Sequence, residues 1–222
     1  MIVMARSFVI GDIHGAYTAL LQCLERAEFD NDADRLICLG DVCDRRIQVK
    51  ECVDELLKIK NLLMIRGNHD QWALDWMLTG NRPDVWLMQG GRQTTESYRS
   101  GVPASHLDFF QRSLYYYIDQ DRLFVHGGIN HELPIRVQLP DIFLWDRSLV
   151  SRALEVDDPA QKLSEFEEIY VGHTPTIRIL AGRPNKEKGI SQKSRQAPNR
   201  RTADPSIRRS VEPSFDSAQG PS

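Results

Sequence analysis

The chain of 222 residues lacks several features that would have assigned it quickly. It has no paired cysteines: Cys23, Cys38, Cys43 and Cys52 include no CxxC, so neither a disulfide framework nor a thiolate zinc site is expected, and reduced, partly buried thiols are. It has no long apolar run. The opening MIVMARSFVIGD is too short for a signal peptide and no segment reaches membrane-spanning length, which predicts a soluble, cytoplasmic protein without a membrane partner. It has no strong overall charge, only −3, so nothing global points to nucleic acid. Repeats and heptads are also missing.

The charge is nevertheless uneven. Residues 181–222 hold nine Lys/Arg against four Asp/Glu, a net of +5, which leaves residues 1–180 at −8. The last segment also carries five prolines and few large apolar residues. Such a composition buries too little surface to offset the entropy of ordering. Two regions are therefore expected: a folded domain over 1–180 and a basic, Pro/Ser/Arg-rich, disordered tail over 181–222.

Within the first region five stretches share one form: SFVIGD, RLICLGD, NLLMIRGNHD, RLFVHGG and EIYVGHT. Each is a short apolar run ending in glycine and a polar, metal-capable side chain, and reads as a buried strand. Between the first three lie amphipathic patterns, Leu20, Leu21, Leu24 and Ala27 in one (about 16–28) and Val49, Val53, Leu56 and Leu57 in the other (about 47–60). Strand, helix, strand, helix, strand predicts parallel pairing. A third helix is expected over 70–79 with GNRPD closing it, a short one over 106–112, a Gly90-Gly91 turn followed by polar residues, and a hairpin turning near 119–121. DIFLWDRSLVSRAL leads from an apolar segment into a helix. The expected class is an α/β sandwich with its sites on the loops after the strands.

Those loops carry the chemistry. GDIHG offers Asp12 and His14, GDVCDR offers Asp41 and Asp44, GNHD offers Asn68, His69 and Asp70, HGG offers His126 and GHT offers His173. A single Asp after a strand is usually a helix cap. Here all five strand ends present Asp, Asn or His, and four of the chain's six histidines fall in these motifs. Carboxylate, imidazole and amide donors without thiolates suit manganese, iron or zinc. Two ions roughly 3.5–4 Å apart need a shared carboxylate, and Asp41, on the middle strand of the first three, is placed to be it.

The ordered set GDIHG, GDVCDR, RGNHD, HGG and GHTP resembles the signature of the PPP family of metallophosphoesterases, over about residues 7–180, and within it the compact bacterial and phage-lambda type serine/threonine protein phosphatases. WLMQGGRQTTESY resembles that branch as well. The resemblance implies a calcineurin-like metallophosphatase sandwich of mixed β-sheets flanked by helices. It implies two divalent ions, Mn2+ first and Fe or Zn otherwise, held by Asp12, His14, Asp41, Asn68, His126 and His173 with Asp41 bridging. It makes His69 the general acid, Asp44 its orienting partner, and Arg45, Arg66 and Arg147 the phosphate ligands. The reaction implied is direct attack of a dimetal-bridging hydroxide on a phosphomonoester, a phosphorylated protein or a small ester. Dinucleoside tetraphosphate hydrolases of the same family share GDxHG and GNHD but lack the Asp44-Arg45 pair, and symmetrical hydrolysis of such dinucleotides is the alternative. Two departures stand out. GNHD ends in Asp70 where many members have Glu. After Gly172-His173-Thr174 the family's closing strands are missing, so an inactive, metal-binding remnant is a third reading.

Overall fold

The computed structural model describes residues 6–156 and 163–175. The expected tail, and the stretch after 175 in which the closing strands are expected to be missing, lie outside the described residues.

The first three apolar runs form β1 (Ser7–Ile10), β2 (Arg35–Cys38) and β3 (Asn61–Met64), paired parallel in that order. Their crossovers are α1 (Tyr17–Arg26) and α2 (Val49–Leu56), each shorter than its sequence pattern. A second sheet contains β4 (Tyr116–Asp119), antiparallel to β5 (Arg122–Val125), which in turn pairs parallel with β6 (Glu168–Tyr170). The expected hairpin turn falls where Gln120 takes a left-handed φ of 57°.

Alternation along each strand sorts the core into layers, because successive side chains point to opposite faces. Ile10, Leu36 and Cys38 point into a large cluster with Leu20, Val49, Val53, Leu56 and Phe110 from the helices. Val9, Ile37 and Leu39 point the other way, onto Phe124, Tyr117 and Tyr170 of the second sheet. Leu123 and Val125 face outward onto Phe143 and Leu149. The molecule is thus helices, sheet, sheet, helices.

The third helix, α3 (Asn68–Thr79), starts two residues earlier than its pattern, so Asn68 and His69 occupy its first turn; it ends at Gly80, left-handed at φ 75°. The stretch 84–97 departs most from expectation. It holds two helices, α4 (Asp84–Trp86) and α5 (Arg92–Ser97), joined across a kink at Gly90, whose φ of 113° is not helical. Its polar residues misled the periodicity because some face inward. The Ser97 hydroxyl accepts the Lys50 amide at 2.9 Å, and Thr94 is fully buried. α6 (Ala104–Gln111) precedes β4. The DIFLWDRSLVSRAL segment forms two helices, α7 (Pro140–Trp145) and α8 (Ser148–Glu155), broken where the Asp146 carboxylate accepts the Ser148 and Leu149 amides at 3.2 and 3.3 Å. No helix among the described residues is long and apolar enough to cross a membrane.

Candidate active site

β1, β2 and β3 run parallel, as do β5 and β6, so the loops after them gather on the carboxyl-end edge of the sandwich. Asp12 and His14 follow β1, Asp41 to Arg45 follow β2, Asn68 and His69 follow β3, His126 follows β5 and His173 follows β6. The backbone there is strained. Seven non-glycine residues among those described have positive φ, and five are His14, Asp41, Asp44, Arg45 and His173. Left-handed backbone costs free energy that the surrounding packing must overcome.

Asp41 is the centre. Its Oδ2 lies 3.4 Å from His126 Nε2, 3.8 Å from His14 Nε2 and 4.0 Å from His69 Nε2. Two sets of donors each close to within 4.8 Å, His14–Asp41–His69 and Asp41–His126–His173, and Asp41 belongs to both. Asp12 Oδ2 stands 3.8 Å from His14 Nε2, while its Oδ1 accepts the His173 amide at 3.0 Å. Burial opposes charge on Asp41, yet His126, His69 and His14 hold its carboxyl well below the usual range. Burial likewise opposes charge on His126, and Asp41 outweighs it, raising the imidazole to about 9. Burial lowers His14, and burial with the charges of His126 and Arg147 lowers His173 to about 4.

These residues fit cations. His14 and His126 point Nδ1 at the carbonyls of Cys43 and Leu39, each at 2.8 Å. An N–H on Nδ1 leaves Nε2 as the lone-pair nitrogen of a neutral ring. His126 Nε2 faces Asn68 Oδ1 at 3.0 Å as well as Asp41, two oxygens that either a proton on this nitrogen or a cation would satisfy. His173 Nε2 is buried with no hydrogen-bond partner. Such orphaned donor atoms converging on a shared carboxylate suit borderline divalent ions.

Next to this cluster lies a second unit. His69 Nδ1 donates to Asp44 Oδ2 at 2.6 Å. Burial works against charge on His69, but the Asp44 hydrogen bond and the Asp41 charge raise its pKa above the ordinary value. Asp44 is wholly buried, and its carboxylate also accepts Trp86 Nε1 at 2.8 Å and the Thr94 hydroxyl at 2.5 Å. Neither Trp86 nor Thr94 was found from sequence. The Gly90-Gly91 pair was the available signal: Gly90 has φ 113°, and a Cβ there would strike the Arg45 backbone. Gly67 has a comparable role, since a Cβ on it would strike the Asp41 carboxylate.

Asp70 is a further residue with a task of its own. Its carboxylate accepts four amides, Asp41 at 2.7 Å, Val42 at 2.9 Å, Cys43 at 3.1 Å and Gly67 at 3.0 Å. It thereby fastens the loop that carries Asp41 to the start of α3. Burial, then the Asp41 charge, push this carboxyl up to about 6 against the pull of the Gly67 and Cys43 amides. Cys43, between Asp41 and Asp44, is fully buried.

The arginines divide. Arg45 is exposed, with its charge felt at both His14 and His69, and Arg147 is exposed beside His173. Arg66 is different from the phosphate ligand expected. It is 8% exposed, and it donates to Ser113 Oγ, Gln71 Oε1, the Tyr115 hydroxyl and the carbonyls of Phe110, Gln111 and Ser113. A guanidinium has five N–H donors, so none is left for a phosphate; in this structure Arg66 clamps the turn between α6 and β4.

Two layered sheets with donors at five strand ends define a class, the calcineurin-like phosphoesterases. The chain belongs to that family, which matches residues 5–194. Its curated relatives include two Salmonella typhimurium (strain LT2) proteins. Serine/threonine-protein phosphatase 1 is 38% identical over 84 residues, 38% of each chain. Serine/threonine-protein phosphatase 2 is 36% identical over 108 residues, 47% of this chain and 49% of the relative. A symmetrical bis(5'-nucleosyl)-tetraphosphatase of Coxiella burnetii is 35% identical over 68 residues, 31% of this chain and 23% of that one. The matched segments thus span less than half of each of these relatives. Among solved structures, a mutant cold-active protein tyrosine phosphatase shares the fold, with a TM-score of 0.51 and 18% identity over 80% of this chain and 70% of the other.

Proposed function

We propose that the chain is a metal-dependent phosphomonoester hydrolase of the serine/threonine protein phosphatase type, with its catalytic domain in residues 1–180. The observation that carries this reading is Asp41 shared by two donor sets, with His69, a member of the first set, hydrogen-bonded to the buried Asp44.

Asp12, His14 and Asp41 would hold one divalent ion, and Asp41, Asn68, His126 and His173 the other, with manganese the first candidate. When bound, the ions supply Lewis acidity that activates water and offsets phosphate charge. The protein's own residues do the rest. Asp44 fixes the His69 tautomer, so the His69 proton to be delivered sits on Nε2. The Asp44 hydrogen bond to Nδ1 favours the protonated ring, as a general acid for the leaving alkoxide requires. Arg45 and Arg147, both free of buried commitments, would pair with equatorial phosphate oxygens and hold the group in line. Asp70 and Gly67 keep the Asp41 loop where these distances hold.

The test is hydrolysis of 4-nitrophenyl phosphate with Mn2+, in the wild type and in Asp41→Asn. Mn2+-dependent turnover that falls at least about 1,000-fold in the variant is expected, near the scale of losing the central electrostatic element. Turnover that survives both EDTA and the substitution would refute it. The tetraphosphatase relative motivates a second reading, cleavage of dinucleoside polyphosphates. A higher kcat/KM on diadenosine tetraphosphate than on a phosphoserine peptide would favour it.

A further inference from the structure

The imidazoles around Asp41 continue into indoles. His14 and His69 rings are 4.9 Å apart, His69 and Trp72 5.4 Å, Trp72 and Trp145 4.9 Å, Trp145 and His173 5.9 Å, and His173 and His126 5.0 Å. The four imidazoles are accounted for by the chemistry above. The two indoles are not. Trp145 is 40% exposed and Trp72 half-buried, although indoles gain most when covered.

Both are held in place. Trp72 follows His69 by three positions on α3, so the two share a helix face. Trp145 ends α7 where Gly127 packs so closely that a Cβ would lie 2.9 Å from the Trp145 amide nitrogen, and Gly127 donates its amide to Phe143 O at 2.6 Å. The indoles meet at 66°, forming a corner, not a flat stack. That corner adjoins His69, the proton donor to the leaving group in the proposed reaction.

We infer that Trp72 and Trp145 are specificity-determining residues that select aromatic leaving groups, so that aryl phosphomonoesters, phosphotyrosine among them, are favoured over alkyl ones. This rests on the phosphomonoesterase reading. A third ring completes an edge-to-face corner in the way aromatic pairs prefer, and each such contact favours an aryl over an alkyl group by about 2- to 12-fold. A serine or threonine leaving group has no ring to fill it.

The test compares phenylphosphonate with methylphosphonate by calorimetric titration of the Mn2+-supplemented chain, beside hydrolysis of 4-nitrophenyl phosphate and phosphoserine. The wild type should bind the phenyl compound about 5-fold tighter or better. Trp72→Leu and Trp145→Leu should each bring that ratio at least about 3-fold closer to one, and Trp145→Phe should restore it. Trp145 is exposed, so its variants carry the test even where Trp72→Leu unfolds. A wild-type ratio near one, a ratio that both leucine variants keep, or no binding of either phosphonate overturns the inference. Hydrolysis separates the two readings. A wild type that hydrolyses phosphoserine but binds both phosphonates alike loses the aromatic corner and keeps its function. One that hydrolyses neither ester yet selects phenylphosphonate loses the function and keeps the corner.

Discussion

Asp44 accepts hydrogen bonds from His69, Trp86 and Thr94 while excluded from water. The Thr94 hydroxyl also accepts the Asp44 amide at 2.8 Å, so one side chain fixes both ends of this residue. Thr94→Val keeps the shape and removes both bonds. A buried polar group left unsatisfied costs about 1–3 kcal/mol, so a drop of that size in urea-unfolding stability is expected, with a lower kcat as His69 loses its orientation. Arg66 gives the opposite pattern. Removing it takes the guanidinium donors from the Gln111 and Ser113 carbonyls and from Ser113 Oγ, and Arg66→Met is expected to lower stability by roughly 1–3 kcal/mol while KM for 4-nitrophenyl phosphate changes less than about twofold. A large rise in KM with stability intact would return Arg66 to the phosphate.

Between elements, His106 ties α6 to its neighbours. Its Nε2 donates to Asp54 Oδ1 of α2 at 3.0 Å, and its Nδ1 accepts the Tyr98 hydroxyl, just after α5, at 2.9 Å. Burial lowers its pKa from 6.5, against the pull of Asp54. The unfolded chain therefore takes up this proton first as pH falls. The neutral imidazole contributes stability that is fully present above about pH 6.5 and is lost as pH falls through the lowered folded value. Urea midpoints measured from pH 7.5 to 5 should fall more steeply for the wild type than for His106→Gln, and equal slopes would rule this out. The difference between the two isolates His106 from the histidines of the active site.

Across the whole molecule, the candidate ligands come from the ends of β1, β2, β3, β5 and β6, so bound ions would tie both sheets together. A ligand that binds only the folded state stabilises it by about 2.7 kcal/mol at 100 times its Kd. For a chain of this size that is roughly 5–10 °C in Tm. Mn2+ should produce such a shift, EDTA should reverse it, and Asp41→Asn should abolish it; a Tm indifferent to Mn2+ would argue against the two-ion centre.

The fold was legible wherever one face of an element repeats. Strands β1, β2, β3, β5 and β6 are short apolar runs, helices α1 and α2 follow apolar periodicity, and the glycines that end the runs mark the edge on which His14, Asp41, His69, His126 and His173 gather. That gathering follows from parallel strands alone, since their carboxyl ends share one edge. The helices at 84–97 escaped because part of their inward face is polar, with Thr94 and Ser97 accepting the amides of Asp44 and Lys50, far away in sequence. Arg66 looked like Arg45 for a related reason: a residue type states which donors exist, and only packing states which are already taken. The sequence by itself determined the donor types, their order and the strand ends that present them. The tertiary structure alone decided that Asp70 fastens a loop, that Arg66 is committed to carbonyls, and that two indoles border the site, because each depends on distances between segments that the chain brings together only on folding.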